Sequence, residues 1–122
     1  MVTFPDRTFE ALIFDWDGTA VPDRAADAGA VRSRVEALSR AGVDVAVVSG
    51  THVGNIDGQL RARPAGPGRL YLCLNRGSEV FAVDKHGPKL VWRRNGAPDE
   101  EAGLDRAAAM TISRLAASGL TA

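Results

Sequence analysis

The stretch that decides the fold is Ala11-Leu12-Ile13-Phe14-Asp15-Trp16-Asp17-Gly18-Thr19, in which an apolar run ends in two carboxylates, a glycine and a threonine. A continuous apolar run over residues 12–14 predicts a strand buried on both faces of a parallel sheet. Ligands bind beyond the carboxyl ends of such strands, where Asp15 and Asp17 fall. In an extended segment this spacing points both carboxylates the same way, so they repel unless a cation or polar ligand lies between them. Gly18 lets the chain turn sharply and brings N–H groups close to a ligand.

Two simpler interpretations of this stretch compete with a ligand site. Aspartate and glycine are ordinary turn residues, so the stretch also fits a solvated turn after a strand. A calcium-binding loop needs glycine at its sixth position and glutamate at its twelfth. Counted from Asp15, Gly18 is the fourth residue and Ala26 the twelfth, which excludes the calcium loop.

The next segments predict a strand–helix–strand unit. Residues 26–41 show helical spacing of their apolar side chains, and Gly42 is well placed to end that helix. The apolar stripe consists of Val31, Val35 and Leu38. Residues 43–48 are β-branched and largely apolar, which is typical of a strand. This order forms a right-handed βαβ unit with parallel strands.

The second strand ends in Ser49 and Gly50, beside the strand that carries the two aspartates. A serine hydroxyl and a glycine N–H suit a phosphoryl group, and the N-terminus of the following helix favours its negative charge. The alternative is that Ser49 or Thr51 only caps that helix.

The remaining segments predict two helices, one strand and a hairpin. The apolar and turn patterns place a helix at 53–63, a strand at 70–74, hairpin strands at 79–83 and 89–92, and a helix at 99–118. Residues 1–10 read as a polar lead-in, in which Pro5 disfavours a central strand. The last helix has an apolar stripe of Leu104, Ala108, Ile112 and Leu115.

Three of these segments resemble one protein family. Residues 14–19 resemble the first signature of the haloacid dehalogenase-like (HAD) phosphatases, and residues 43–49 resemble the second, a hydrophobic strand that ends in Ser or Thr. Residues 75–81 resemble, more loosely, the segment after the third strand of members with a large cap there (type IIB, including trehalose-phosphatase-like enzymes). The resemblance implies a truncated three-layer Rossmann-like parallel sheet over residues 1–122. It also implies a β-hairpin and the start of a cap from about residue 84.

The resemblance also implies a mechanism. Asp15 would attack phosphorus, and Asp17 would protonate the leaving oxygen and then activate water. Mg²⁺ would bind Asp15 and Asp17. The implied phosphate-binding residues are Trp16, Gly18, Thr19, Ser49 and Gly50. Thr19 serves equally well as a hydroxyl that only stabilises the turn.

Two parts of a HAD phosphatase have no counterpart in this sequence: a late lysine and a late acidic motif. Lys85 and Lys89 fall in the predicted hairpin, and the acids at 99–101 and 105 open an amphipathic helix. We therefore expect the C-terminal remainder of the enzyme as a partner.

The charge and cysteine content of the chain limit which partners and which cellular location we expect. The chain has 122 residues, with 15 basic and 15 acidic side chains and a formal net charge of zero. Because the charges balance, the sequence does not predict binding to nucleic acid or to an anionic membrane. The single cysteine and the lack of a secretory apolar segment predict a cytoplasmic location.

The sequence predicts a Mg²⁺-dependent phosphatase that hydrolyses a small phosphate monoester, a sugar phosphate, through an aspartyl-phosphate intermediate. One alternative is a non-catalytic HAD fragment that keeps the phosphate cradle. The other is a phosphosugar mutase or transferase that uses the same aspartyl chemistry.

Overall fold

The computed structural model describes residues 2–4 and 7–119. The strands are β1 (Val2–Phe4), β2 (Arg7–Phe9), β3 (Ala11–Asp15), β4 (Asp44–Val48), β5 (Leu70–Leu74), β6 (Glu79–Asp84) and β7 (Gly87–Arg93). The helices are α1 (Gly29–Arg40), α2 (Val53–Leu60) and α3 (Pro98–Ala117).

The chain has an α/β fold with a mixed five-stranded sheet in the order β3-β4-β5-β6-β7. Strands β3, β4 and β5 are parallel, as predicted, and are joined by α1 and α2. The hairpin β6–β7 continues the same sheet in antiparallel pairing. Asp15 lies opposite Val48, and Val48 lies opposite Cys73, so the three parallel strands end at one edge.

One face of the sheet carries the core. Alternate side chains of β4 and β5 are buried there, against apolar side chains of α1 and α2. The central members are Val45, Val47, Leu70, Leu72, Leu74, Val35, Ile56 and Leu60. The connections β3–α1–β4 and β4–α2–β5 run in the same direction along the sheet. Because such connections have the same handedness, both helices lie on the same face. The predicted three layers are therefore two in the described residues, because α3 buries none of its residues.

The opposite side of the sheet, which we call the bare face, has no helix packed on it in the described part of the chain. A row of directly opposed residues runs across it from Asp15 through Val48, Cys73 and Val80 to Trp92. Trp92 is 50% exposed and Val48 39%.

The prediction that β3 is buried on both faces is wrong. Leu12 is 42% exposed and Ile13 69%. The physical reason is position: β3 forms one edge of the five-stranded sheet, and Ile13 belongs to the bare face.

The predicted elements lie within a few residues of the observed ones, with two differences. The two-stranded antiparallel sheet of β1 and β2 was not predicted, because residues 1–10 show a polar pattern. Pro5 lies outside the described residues. In α3 the predicted stripe is exposed rather than packed, since Leu104 and Ile112 are both exposed.

None of the helices within residues 2–4 and 7–119 is long and apolar enough to cross a membrane.

The end of α1 fixes the start of β4. Gly42 has φ of 82°, its N–H donates to the Ser39 carbonyl at 3.0 Å, and the Val43 N–H donates to Leu38 at 3.0 Å. These two bonds form a Schellman motif, which satisfies the last carbonyls of the helix and favours glycine at the left-handed position.

Replacing Gly42 with alanine is expected to lower the free energy of unfolding by about 1 kcal/mol, because alanine is strained at positive φ. A Cβ there meets its nearest neighbour, Pro67 Cγ, at 3.9 Å, so crowding contributes little. Urea denaturation followed by circular dichroism measures the change. The matched control is Gly58→Ala in α2, where a Cβ meets nothing within 4 Å and stability should stay or rise. Equal stability of Gly42→Ala and the wild type would contradict this account.

Candidate active site

The loops that follow the parallel strands are held together by backbone hydrogen bonds. The Trp16 N–H donates to the Val48 carbonyl at 3.2 Å, and the Ser49 N–H donates to Cys73 at 3.0 Å. The Asn75 N–H donates to the Thr51 carbonyl at 3.0 Å. These bonds extend the sheet ladder past the strand ends and place the three loops at one edge.

Asp17 lies at the centre of this edge. Its Oδ2 accepts a hydrogen bond from the Ser49 hydroxyl at 3.3 Å, and its Oδ1 lies 3.4 Å from Arg24 Nε. Ser49 is only 4% exposed, whereas the side chain of Asp17 is 38% exposed. A buried hydroxyl therefore meets a carboxylate that remains open to solvent and to a ligand.

Asp15 has a different partner. It is exposed, and its Oδ2 accepts a hydrogen bond from the Thr19 hydroxyl at 3.4 Å. Side chains alternate between the two faces along a strand, so Asp15 and its neighbour Val48 belong to the bare face. Ser49 is one residue after Val48 and therefore belongs to the opposite face in this alternation. The structure thus brings Asp17, and not Asp15, into contact with Ser49.

The two carboxylates have different partners because the chain leaves the strand at residue 16. The Trp16 carbonyl accepts from the N–H groups of Thr19, Ala20 and Val21, at 3.1, 3.0 and 3.3 Å. Gly18 has φ of 75°, and its N–H donates to the Val21 carbonyl at 2.8 Å. Residues 16–21 therefore form a tight turn instead of an extended segment.

This turn changes which N–H groups can face a ligand. The N–H groups of Trp16 and Gly18, both predicted phosphate donors, already donate to Val48 and Val21. Among the described residues, the N–H groups of Asp17 and Gly50 have no acceptor. Of the predicted phosphate donors, Gly50 therefore keeps an uncommitted N–H group, whereas Trp16 and Gly18 do not.

Gln59 links the turn to the following loop. Trp16 is completely buried, and its indole N–H donates to Gln59 Oε1 at 2.9 Å. The Gln59 amide group donates in turn to the carbonyls of Asp23 and Ala26, at 2.8 and 2.9 Å. One side chain of α2 therefore ties the residue between the two aspartates to the loop that carries Arg24.

The loop after β5 has an unusual backbone. Asn75, Arg76 and Gly77 have φ of 49°, 57° and 85°. The Asn75 side-chain amide donates to Glu79, and the Ser78 hydroxyl donates to the Asn75 carbonyl at 2.8 Å. Sequence reasoning missed both Arg24 and Arg76. Arg76 could have been found from the sequence, because it is the second residue after the buried strand β5, which ends at the same edge. Arg24 has no such relation to a strand end.

Few side chains at this edge could act as ligands for a cation. No group of three or more His, Cys, Asp or Glu side chains that could hold a metal ion occurs within the described ranges. Asp15 and Asp17 are hard oxygen donors, the kind that Mg²⁺ prefers, and Mg²⁺ usually completes its shell with water and substrate oxygens. The donor chemistry therefore fits Mg²⁺ in part.

The other candidate groups lie in the hairpin turn and at the start of α3. Lys85 is in the turn between β6 and β7, and because β6 is antiparallel to β5, that turn lies at the opposite edge. Glu100 and Glu101 accept hydrogen bonds from the N–H groups of Ala97 and Gly96 at the start of α3. These carboxylates satisfy a helix end, in agreement with the sequence prediction.

Comparison with protein-family models, with curated proteins and with solved structures finds no match to this chain.

The Trp16–Gln59 contact is expected to couple α2 to the turn energetically. Gln59→Leu leaves the buried indole N–H without an acceptor, which should cost about 1–3 kcal/mol of unfolding free energy. In the Trp16→Phe background, which lacks that N–H, the same substitution should cost about 1 kcal/mol less. Urea denaturation of the four proteins in this double-mutant cycle gives the coupling energy. Strictly additive effects would contradict the contact.

Proposed function

We propose that this chain carries the nucleophile and phosphate cradle of a Mg²⁺-dependent phosphatase of the HAD type. The substrate is a small phosphate monoester, of the sugar-phosphate class. The observation that supports this proposal best is the contact of the Asp17 carboxylate with the buried Ser49 hydroxyl, at the edge where two parallel strands end. Asp15 ends the first of those strands, two residues earlier.

The reaction proceeds in two displacements. An Asp15 carboxylate oxygen attacks phosphorus, and the bond from phosphorus to the leaving oxygen breaks while Asp17 gives that oxygen a proton. Asp17 then takes a proton from water, whose oxygen attacks phosphorus and releases phosphate from Asp15. The exposure of Asp15 suits attack on a substrate, and Ser49 and Arg24 hold Asp17 in place at the same edge.

The phosphoryl group is held by the Ser49 hydroxyl and the Gly50 N–H, with the N-terminus of α2 behind them. The N-cap of this helix, His52, has an extended backbone and no side-chain cap. The first N–H groups of a helix favour an anion. When bound, Mg²⁺ would be held by Asp15 and Asp17 and would offset the repulsion between carboxylate and phosphate.

A second polypeptide segment completes the site. The HAD mechanism needs a lysine and a further acidic group. Within the described ranges, Lys85 lies at the opposite edge, and no group of three His, Cys, Asp or Glu side chains could hold a metal ion. The open edge of β3 and the adjoining bare face offer a surface for such a segment, since both expose apolar side chains. The small donor set also favours the second candidate function, a phosphate-binding fragment without turnover.

Hydrolysis of p-nitrophenyl phosphate by the full chain tests the proposal. We expect Mg²⁺-dependent release of p-nitrophenol, and Asp15→Asn should abolish it because an amide is a far weaker nucleophile. The matched control is Asp105→Asn, an exposed carboxylate on α3, which should leave the rate unchanged.

The outcomes separate the two candidates. Folded protein that binds inorganic phosphate but shows no turnover would establish the non-catalytic fragment. Folded protein with neither binding nor turnover would overturn both.

A further inference from the structure

We propose that Arg76 is a phosphate-binding residue of this site, whose guanidinium takes two oxygens of a tetrahedral oxyanion held over Gly50. The inference rests on the proposed function for the location of the anion. It adds a group that lies outside the signatures of residues 14–19 and 43–49.

The position of the side chain is the first argument. A Cβ built on Gly50 would lie 3.7 Å from Arg76 Cγ, which is the nearest atom to it outside its chain neighbours. The arginine stem therefore passes across Gly50, the residue whose N–H is free. The guanidinium begins two bonds beyond Cγ, at Nε, so an anion bound to that N–H is within its reach.

The backbone of the loop is the second argument. Arg76 has φ of 57°, a conformation that is strained for a non-glycine residue and tends to occur at functional sites. The Asn75 N–H bond to Thr51 ties the loop to the segment that contains Ser49 and Gly50. The Gly77 N–H donates to the Leu74 carbonyl at 3.1 Å, which holds the loop from its other side.

Charge is the third argument. Arg24 pairs with Asp17, and Arg93 pairs with Glu79. The guanidinium of Arg76 is exposed and makes no hydrogen bond or ion pair with any residue in the described ranges. A guanidinium fork binds phosphate oxygens through two parallel hydrogen bonds, so a dianion suits this unpaired group.

Isothermal titration of the full chain with inorganic phosphate, at low ionic strength, tests the assignment. Arg76→Met should weaken phosphate binding about 10- to 100-fold, since the lost hydrogen bonds are charge-assisted. Arg76→Lys should restore part of the affinity. The matched control is Arg94→Met, which removes another exposed arginine from the same edge of the sheet and should change affinity less than about twofold.

A further variant separates binding from structure. Arg76→Gly relieves the left-handed backbone, so its urea midpoint should rise while its phosphate affinity falls as in Arg76→Met. If Arg76 had only a structural role, Arg76→Gly would not combine a higher urea midpoint with weaker phosphate binding, and Arg76→Lys would not restore affinity. Wild-type affinity in Arg76→Met, or no phosphate binding by the wild type, would overturn the inference.

The readout does not depend on catalysis. Phosphate binding that needs Arg76, in a protein without turnover, supports the inference while the phosphatase proposal fails. Turnover whose KM and inhibition by phosphate are unchanged in Arg76→Met supports the phosphatase and overturns the inference.

Discussion

The candidate site depends on one constraint: the parallel register of β3, β4 and β5. With Asp15 opposite Val48 and Val48 opposite Cys73, the three strands end level with one another. The bonds from the Trp16 and Ser49 N–H groups then carry the ladder into the loops. A shift of one residue would move every side chain of a strand to the other face, so the buried alternation of β4 and β5 fixes the register. The geometry at Asp17 is thus set by the packing of the core.

The helices α1 and α2 leave one face of the sheet uncovered. Both helices that follow the parallel strands cover the same face, so the bare face and the β3 edge keep apolar side chains in water. Burying a side chain such as Ile13 is worth about 1.5–3 kcal/mol. Several such residues lie together on the bare face, next to Asp15. A second segment that covers them would gain free energy from the same surface that borders Asp15, which would link completion of the fold to completion of the candidate site.

Local sequence patterns were enough for most of the fold. Helical spacing at residues 31, 35 and 38 and the β-branched run before Ser49 led to α1 and β4, and the order of elements led to their parallel pairing. The burial of β3 could not be predicted, because an apolar run does not reveal whether a neighbour covers it. The roles of Arg24 and Gln59 depend on contacts across 7 and 43 residues of sequence, which no local pattern encodes. The hydrogen bonds of the Trp16 and Gly18 N–H groups could not be predicted, because the turn begins at Trp16, inside the motif.

The two carboxylates are held separately, and this bears on how a ligand enters. Asp15 is engaged by Thr19, and Asp17 by Ser49 and Arg24. The Arg24–Asp17 pair is largely exposed, and such pairs are worth about 0–1 kcal/mol, so a cation or phosphate displaces it at small cost. The Ser49 contact is different, since its hydroxyl is buried and leaves Asp17 only at the cost of an unpaired polar group. Ligand binding should therefore release Arg24 before the Ser49 hydroxyl turns from Asp17 to a phosphate oxygen. The flexible part of the site is then its solvent-facing arginine, and the rigid part is the hydroxyl anchored by the sheet.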